Sequence, residues 1–185
     1  MIIILVIICN SIILINKKYE KHWNYIVKKK ILKKNFAIDG CGAPQYAFSL
    51  NDLSEALINL VKSYQKLFKN ASEVQLLMNS VFGNPNMIGG SLKFDSYLIK
   101  TCNKKMFCKY GAEGVFLFAH LTKKIVGAIK IKDGNERALP SVVCTLLKKL
   151  KITSPEENKK LLFWAKTPIK NHAKKTSGRI FTKIQ

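Results

Sequence analysis

Two seven-residue apolar runs, Gly114–His120 and Ile125–Ile131, are separated by only Leu121-Thr122-Lys123-Lys124. Runs this rich in β-branched and aromatic residues read as strands, and so short a link allows only antiparallel pairing. A parallel pair would need a crossover of about a dozen residues or more. Lys130 and Lys132 alternate with Ile129 and Ile131, giving one buried and one wet face. A hairpin at the centre of the chain excludes a purely helical bundle. Asp133-Gly134 then turns the chain into a helix bearing Val142, Val143, Leu146, Leu147 and Leu150.

Helical patterning dominates upstream. Leu53, Leu57, Leu60, Val61, Tyr64, Leu67 and Phe68 recur at spacings of three and four, behind capping candidates Ser49, Asn51 and Asp52. A second helix is predicted near Ser72 to Phe82, stopped by Gly83-Asn84-Pro85. Asn86 to Lys93, with Gly89-Gly90-Ser91, reads as a loop, and Phe94 to Thr101 as a short helix. Towards the C-terminus a helical patch is expected at Leu161 to Trp164 and an edge strand at Gly178 to Ile184. The fold class is α/β or α+β, with an antiparallel sheet flanked by helices.

The chain has 185 residues, enough for one domain with a buried core. Its 32 Lys and Arg stand against 11 Asp and Glu, for a net charge of +21. Such a balance invites a polyanion partner, yet only Arg137 and Arg179 are arginines. Arginine provides the bidentate phosphate and guanine contacts, so a nucleic-acid partner is not expected. Five cysteines, at 9, 41, 102, 108 and 144, form no CxxC pair and point to a reducing, cytoplasmic setting.

Residues 1–15 are almost wholly apolar but shorter than the roughly 20 residues of a bilayer span. They lack the basic start and small-residue cleavage site of a signal peptide. A buried strand or helix is the expectation, with membrane association through residues 1–15 as the alternative. Residues 16–35 are Lys-rich and weakly patterned, and residues 1–35 together read as a leader.

Three stretches carry chemistry. In Asp39-Gly40-Cys41-Gly42-Ala43-Pro44, glycines flank a thiol, and Asp39 can orient a neighbour or hold a ligand amine. The competing reading is a tight turn with a small buried Cys. In Lys109-Tyr110-Gly111-Ala112-Glu113-Gly114, a desolvated lysine at a strand start could serve as general base to a serine; otherwise it is one more solvated lysine. Asp133-Gly134-Asn135-Glu136-Arg137 places an arginine where the hairpin meets a helix, as a structural cap or a carboxylate anchor.

In order and spacing, these stretches, with Phe94-Asp95-Ser96, resemble the bacterial L-asparaginase II family: DGCGAP, FD/FC-[ST], K-x-GAEG, then I-K-[IVL]-x-DG-x-x-RA-x-P. The resemblance covers residues 36–185, as the C-terminal part of such a domain, and implies a partial serine-β-lactamase-like fold. It implies hydrolysis of L-asparagine to L-aspartate and ammonia by two Ser–Lys pairs in one pocket. Lys109 then matches the strand lysine that partners a catalytic serine. Asp39, Gly40, Asp95, Gly111, Ala112 and Glu113 fall at pocket positions. Cys41 matches a zinc-ligand cysteine of one branch, and Asp95 stands where that branch has a pocket cysteine.

The family's S-x-x-K segment, its second serine and its other zinc ligands all precede DGCGAP, and residues 1–38 contain none of them. The expectation is a C-terminal half that is inactive alone and metal-free. Its alternative is a complementing subunit, whose partner is an N-terminal half chain or a second copy. A basic binder of membrane surfaces or nucleic acid ranks last.

Overall fold

The computed structural model describes residues 5–9, 32, 35–65 and 71–184. These residues form a mixed α/β protein with three antiparallel sheets. The first sheet has the order β1 (Leu5–Cys9), β3 (Pro44–Ser49), β2 (Phe36–Ile38). Most of residues 1–35, and with them the leader and the membrane alternative, lie outside the described residues. The part that is described, residues 5–9, pairs with β3 from Leu5 opposite Ser49 to Cys9 opposite Gln45. Among the described residues no helix is long and apolar enough to cross a membrane.

Helix α1 (Leu50–Tyr64) begins where the periodicity predicts, and Ser49 caps it. The Ser49 hydroxyl accepts from the Asp52 amide at 3.1 Å, and the Asp52 carboxylate takes the Ser49 amide at 3.0 Å. This reciprocal box satisfies two otherwise orphaned donors at the helix start. Helix α2 (Ala71–Gly83) follows. A short helix, α3 (Asn86–Gly89), replaces the expected loop. Pro85 stops α2 yet sits in helical conformation itself (φ −58°), so a new turn starts at once. Helix α4 (Phe94–Thr101) matches its expected bounds.

The hairpin is present as β5 (Val115–His120) and β6 (Ile125–Lys130), with Val115 opposite Lys130 and His120 opposite Ile125. It gains a third strand, β4 (Met106–Gly111), so Lys109 lies within a strand, opposite Leu117, and not at the entry to one. The sheet order is β4-β5-β6. β5 is its central strand and is buried on both faces. Phe116 and Phe118 enter the main core with Phe94, Leu98 and Leu139, while Val115 packs with Tyr46, Phe48 and Leu53. Two buried faces explain why Val115–His120 reads as a continuous apolar run.

A 3-10 turn (Glu136–Ala138) leads into α5 (Leu139–Lys149). Then come α6 (Pro155–Lys160) and α7 (Leu162–Ala165). The last elements are β7 (Lys166–Lys170) and β8 (Thr176–Phe181), paired as a hairpin. The expected edge strand is β8, two residues earlier than predicted, and its partner β7 went unpredicted. Pro168 hides β7 from a strand reading, yet is tolerated in a two-stranded sheet whose outer edges carry no ladder.

Candidate functional site

Asp95 lies in the first turn of α4 with no exposed side-chain surface. Its Oδ1 accepts from the Ser96 amide at 2.8 Å and its Oδ2 from the Tyr110 amide at 3.4 Å. The Cys108 thiol donates to its carbonyl at 3.4 Å. Asp95 thereby caps the free edge of β4, which would otherwise bury unpaired donors. Gly89 is what lets the carboxylate in: a Cβ on Gly89 would fall 2.1 Å from Asp95 Oδ1.

Lys109 completes the cluster. Its Nζ stands 3.8 Å from Asp95 Oδ2 and donates to the Tyr110 carbonyl at 2.8 Å, while 45% of its side chain stays exposed. The arrangement is an ammonium against a buried carboxylate, with one side open to water. This differs from a desolvated neutral amine beside a hydroxyl. A carboxylate buried so completely is costly unless it is paired and hydrogen-bonded, and Asp95 has both kinds of partner.

Residues Gly111 to Gly114 turn β4 into β5. Glu113 (φ 60°) and Gly114 (φ 70°) both adopt left-handed backbone. At Gly114 a Cβ would also meet Ile131 at 3.0 Å and the Gly134 carbonyl at 3.1 Å, so glycine is required there twice over. The Glu113 carbonyl accepts from the Lys130 ammonium. Ala112 is exposed at the tip. This turn therefore leans on the Asp133-Gly134 turn, where the Arg137 guanidinium reaches Asp133 at 2.8 Å. Arg137 also donates its amide to the Asn135 side chain at 2.9 Å. The Asn135 amide, and after it Arg137, holds the Asp133 carboxyl below the usual range.

The Asp39 cluster is built differently. Asp39 Oδ1 accepts from the Cys41 and Ala43 amides at 2.9 and 2.8 Å, and Oδ2 from the Gln45 side chain at 2.7 Å. The carboxylate thus braces the Gly40–Ala43 turn, the orienting role of the two open at the sequence level. Cys41 is exposed, unlike the buried thiol of the tight-turn reading. With both oxygens of the adjacent carboxylate so engaged, Cys41 offers a single donor, which does not fit a zinc ion needing three or four. Among the described residues no group of three or more His, Cys, Asp or Glu is placed to hold a metal.

Cys102, Cys108 and Cys144 are core thiols. Burial pushes Cys102 and Cys144 up to about 12, and burial followed by Asp95 raises Cys108 well above the usual thiol range. None is poised as a nucleophile.

Two serines escape the motif reading. Ser63-Tyr64-Gln65-Lys66 spells S-x-x-K, but after Asp39 and not before it. Ser63 is buried in the last turn of α1, and Lys66 lies outside the described residues. Ser96 follows Asp95, and its hydroxyl is buried with no partner among the described residues. Full burial keeps it from any substrate.

The fold and the Asp95–Lys109 cluster define a mixed α/β protein with a lysine–carboxylate pair on a strand edge, flanked by a glycine-rich turn. The family model for L-asparaginase II matches residues 15–182, and the chain belongs to that family. The match takes in residues 15–35 as well as the motif-bearing part. No curated protein matches the chain.

Proposed function

We propose that this chain supplies the lysine side of an amidohydrolase site that converts L-asparagine and water to L-aspartate and ammonia. The observation that carries the reading is the Lys109 ammonium, fixed by the buried Asp95 carboxylate and the Tyr110 carbonyl yet open on one side. A serine oxygen bonds to the side-chain amide carbon and the C–N bond breaks. Lys109 hands a proton to the departing nitrogen and recovers one from the serine hydroxyl. Water then cleaves the ester, releasing aspartate and restoring the serine. Asp95 is a positioning residue in this scheme. Asp39, Gly40, Gly111, Ala112 and Glu113 shape the surrounding turns.

Ser63 and Ser96 are both buried, so neither is the nucleophile of this reading. The serine is expected from a second chain, with residues 36–185 as the complementing part of a two-part site and no asparagine turnover by the 185 residues alone. The setting is reducing and cytoplasmic, in keeping with four described cysteines that are all free.

The test mixes the purified chain with the segment preceding DGCGAP from an L-asparaginase II family member, which bears the S-x-x-K motif. Ammonia release is expected from the mixture and expected to fall at least 100-fold with Lys109→Ala. A mixture equally active with wild-type and Lys109→Ala chains would overturn the role of Lys109. The chain is also expected to be metal-free after desalting. Zinc near one equivalent, lost on Cys41→Ala, would contradict this.

A further inference from the structure

A pocket of about 230 Å³ opens beside the Lys109 cluster but is not lined by Lys109 or Asp95. Its floor and wall are aromatic: Phe94, Tyr110 and Trp164 line it, with the Phe94 ring centroid 6.3 Å from that of Tyr110 and 5.4 Å from that of Trp164. Its rim is charged, with Lys93, Glu136 and Arg137. The volume lies below the roughly 300 Å³ at which drug-sized ligands begin, so the occupant is a small molecule of a few functional groups.

The rim carries Lys93 and Arg137 beside Glu136, with Asp133 on Arg137 just behind it, on a chain of net charge +21 whose field draws anions. One guanidinium nitrogen of Arg137 bonds Asp133 at 2.8 Å, and the group has further donors that can fork onto a carboxylate. Lys93 faces Glu136 at 3.9 Å, with both side chains more than half exposed. So exposed a pair contributes little, and Lys93 can turn to an incoming anion at small cost. The Tyr110 phenol is pushed up by burial, then by Glu136 and Asp95, so it stays protonated and donating at neutral pH.

We propose that this pocket binds a small carboxylate with a planar apolar body, its carboxylate on Arg137 and Lys93 and its body against Tyr110 and Trp164. Aromatic walls reward a flat apolar ligand and give nothing to a second amide. L-Asparagine, polar at both ends, does not compete for it. The site is thus separate from the proposed amidohydrolase site, and its test reads binding and not turnover.

Phenylacetate is the probe, titrated into the full chain by calorimetry, with phenethylamine and L-asparagine as comparison ligands. Saturable phenylacetate binding is expected, weakened at least tenfold by Arg137→Gln and by Trp164→Leu. Thermal unfolding of each variant confirms that it is folded. Arg137→Gln lies on an exposed side chain, so it keeps the test open if Trp164→Leu fails to fold. No saturable binding at millimolar phenylacetate, equal binding of phenethylamine, or full binding by a folded Arg137→Gln chain would each overturn the proposal.

Discussion

Asp95 shows how one residue can tie several structural decisions together. Its carboxylate fits only because Gly89 has no side chain, and its charge is tolerable only because Lys109 and two amides meet it. Gly89→Ala should cost about 1–3 kcal/mol by overpacking, read from denaturant unfolding. On an Asp95→Ala background the same change should cost far less, since the clashing oxygens are gone. Additive losses would place the strain elsewhere. Lys109→Ala should destabilise by about 1–2 kcal/mol, a moderate figure because water reaches the lysine side of the pair. His120 gives a pH handle. Burial, followed by Lys123, lowers its pKa below 6.5, and its Nδ1 accepts from the Lys123 amide at 3.2 Å. The unfolded state then binds more protons below pH 6.5, so stability is full above that value and declines as the pH falls through it. A denaturant midpoint that drops between pH 7.5 and 5.5 is expected, and His120→Phe should flatten the drop. Carboxylates with lowered pKa, such as Asp133 and Glu156, titrate below this window and cannot produce it.

At the scale of elements, capping chemistry is the most legible layer. Ser49 with Asp52 opens α1, and Ser154 with Glu157 opens α6 by the same reciprocal box. Ser49→Ala should lower stability by about 1 kcal/mol in thermal or chemical unfolding, and no measurable loss would mean that tertiary packing alone holds α1. Periodicity located α1, α2, α4, α5 and the β5–β6 hairpin, because each presents apolar side chains to one or both of the two core clusters. Among the elements not predicted, three show separate reasons. α3 is a single turn with no apolar stripe, launched by Pro85. β4 reads MFCKYG, where Lys109 and Gly111 interrupt the apolar alternation because they face the site and a turn. β7 contains Pro168 and three polar residues, and pairs only with β8. The site followed the same logic. The DGCGAP and K-x-GAEG motifs located both turns, but the approach of Lys109 to Asp95 depends on α4 crossing the edge of β4. No local pattern encodes that contact.

For the molecule as a whole, family membership and chemistry point the same way but do not cover the same ground. Membership rests on a match over residues 15–182. The described chemistry supplies a positioned ammonium and two braced turns, while Ser63 and Ser96 are buried. Loss of the nucleophile from a coupled catalytic set removes most of the rate that the set provides, so a fixed lysine alone gives no acyl intermediate. The most direct measurement is ammonia release from L-asparagine by the purified 185-residue chain, run beside Lys109→Ala and Ser63→Ala. The same background rate is expected from all three. Turnover well above that of Lys109→Ala would contradict a chain without its nucleophile, and loss of that turnover in Ser63→Ala would identify buried Ser63 as the nucleophile.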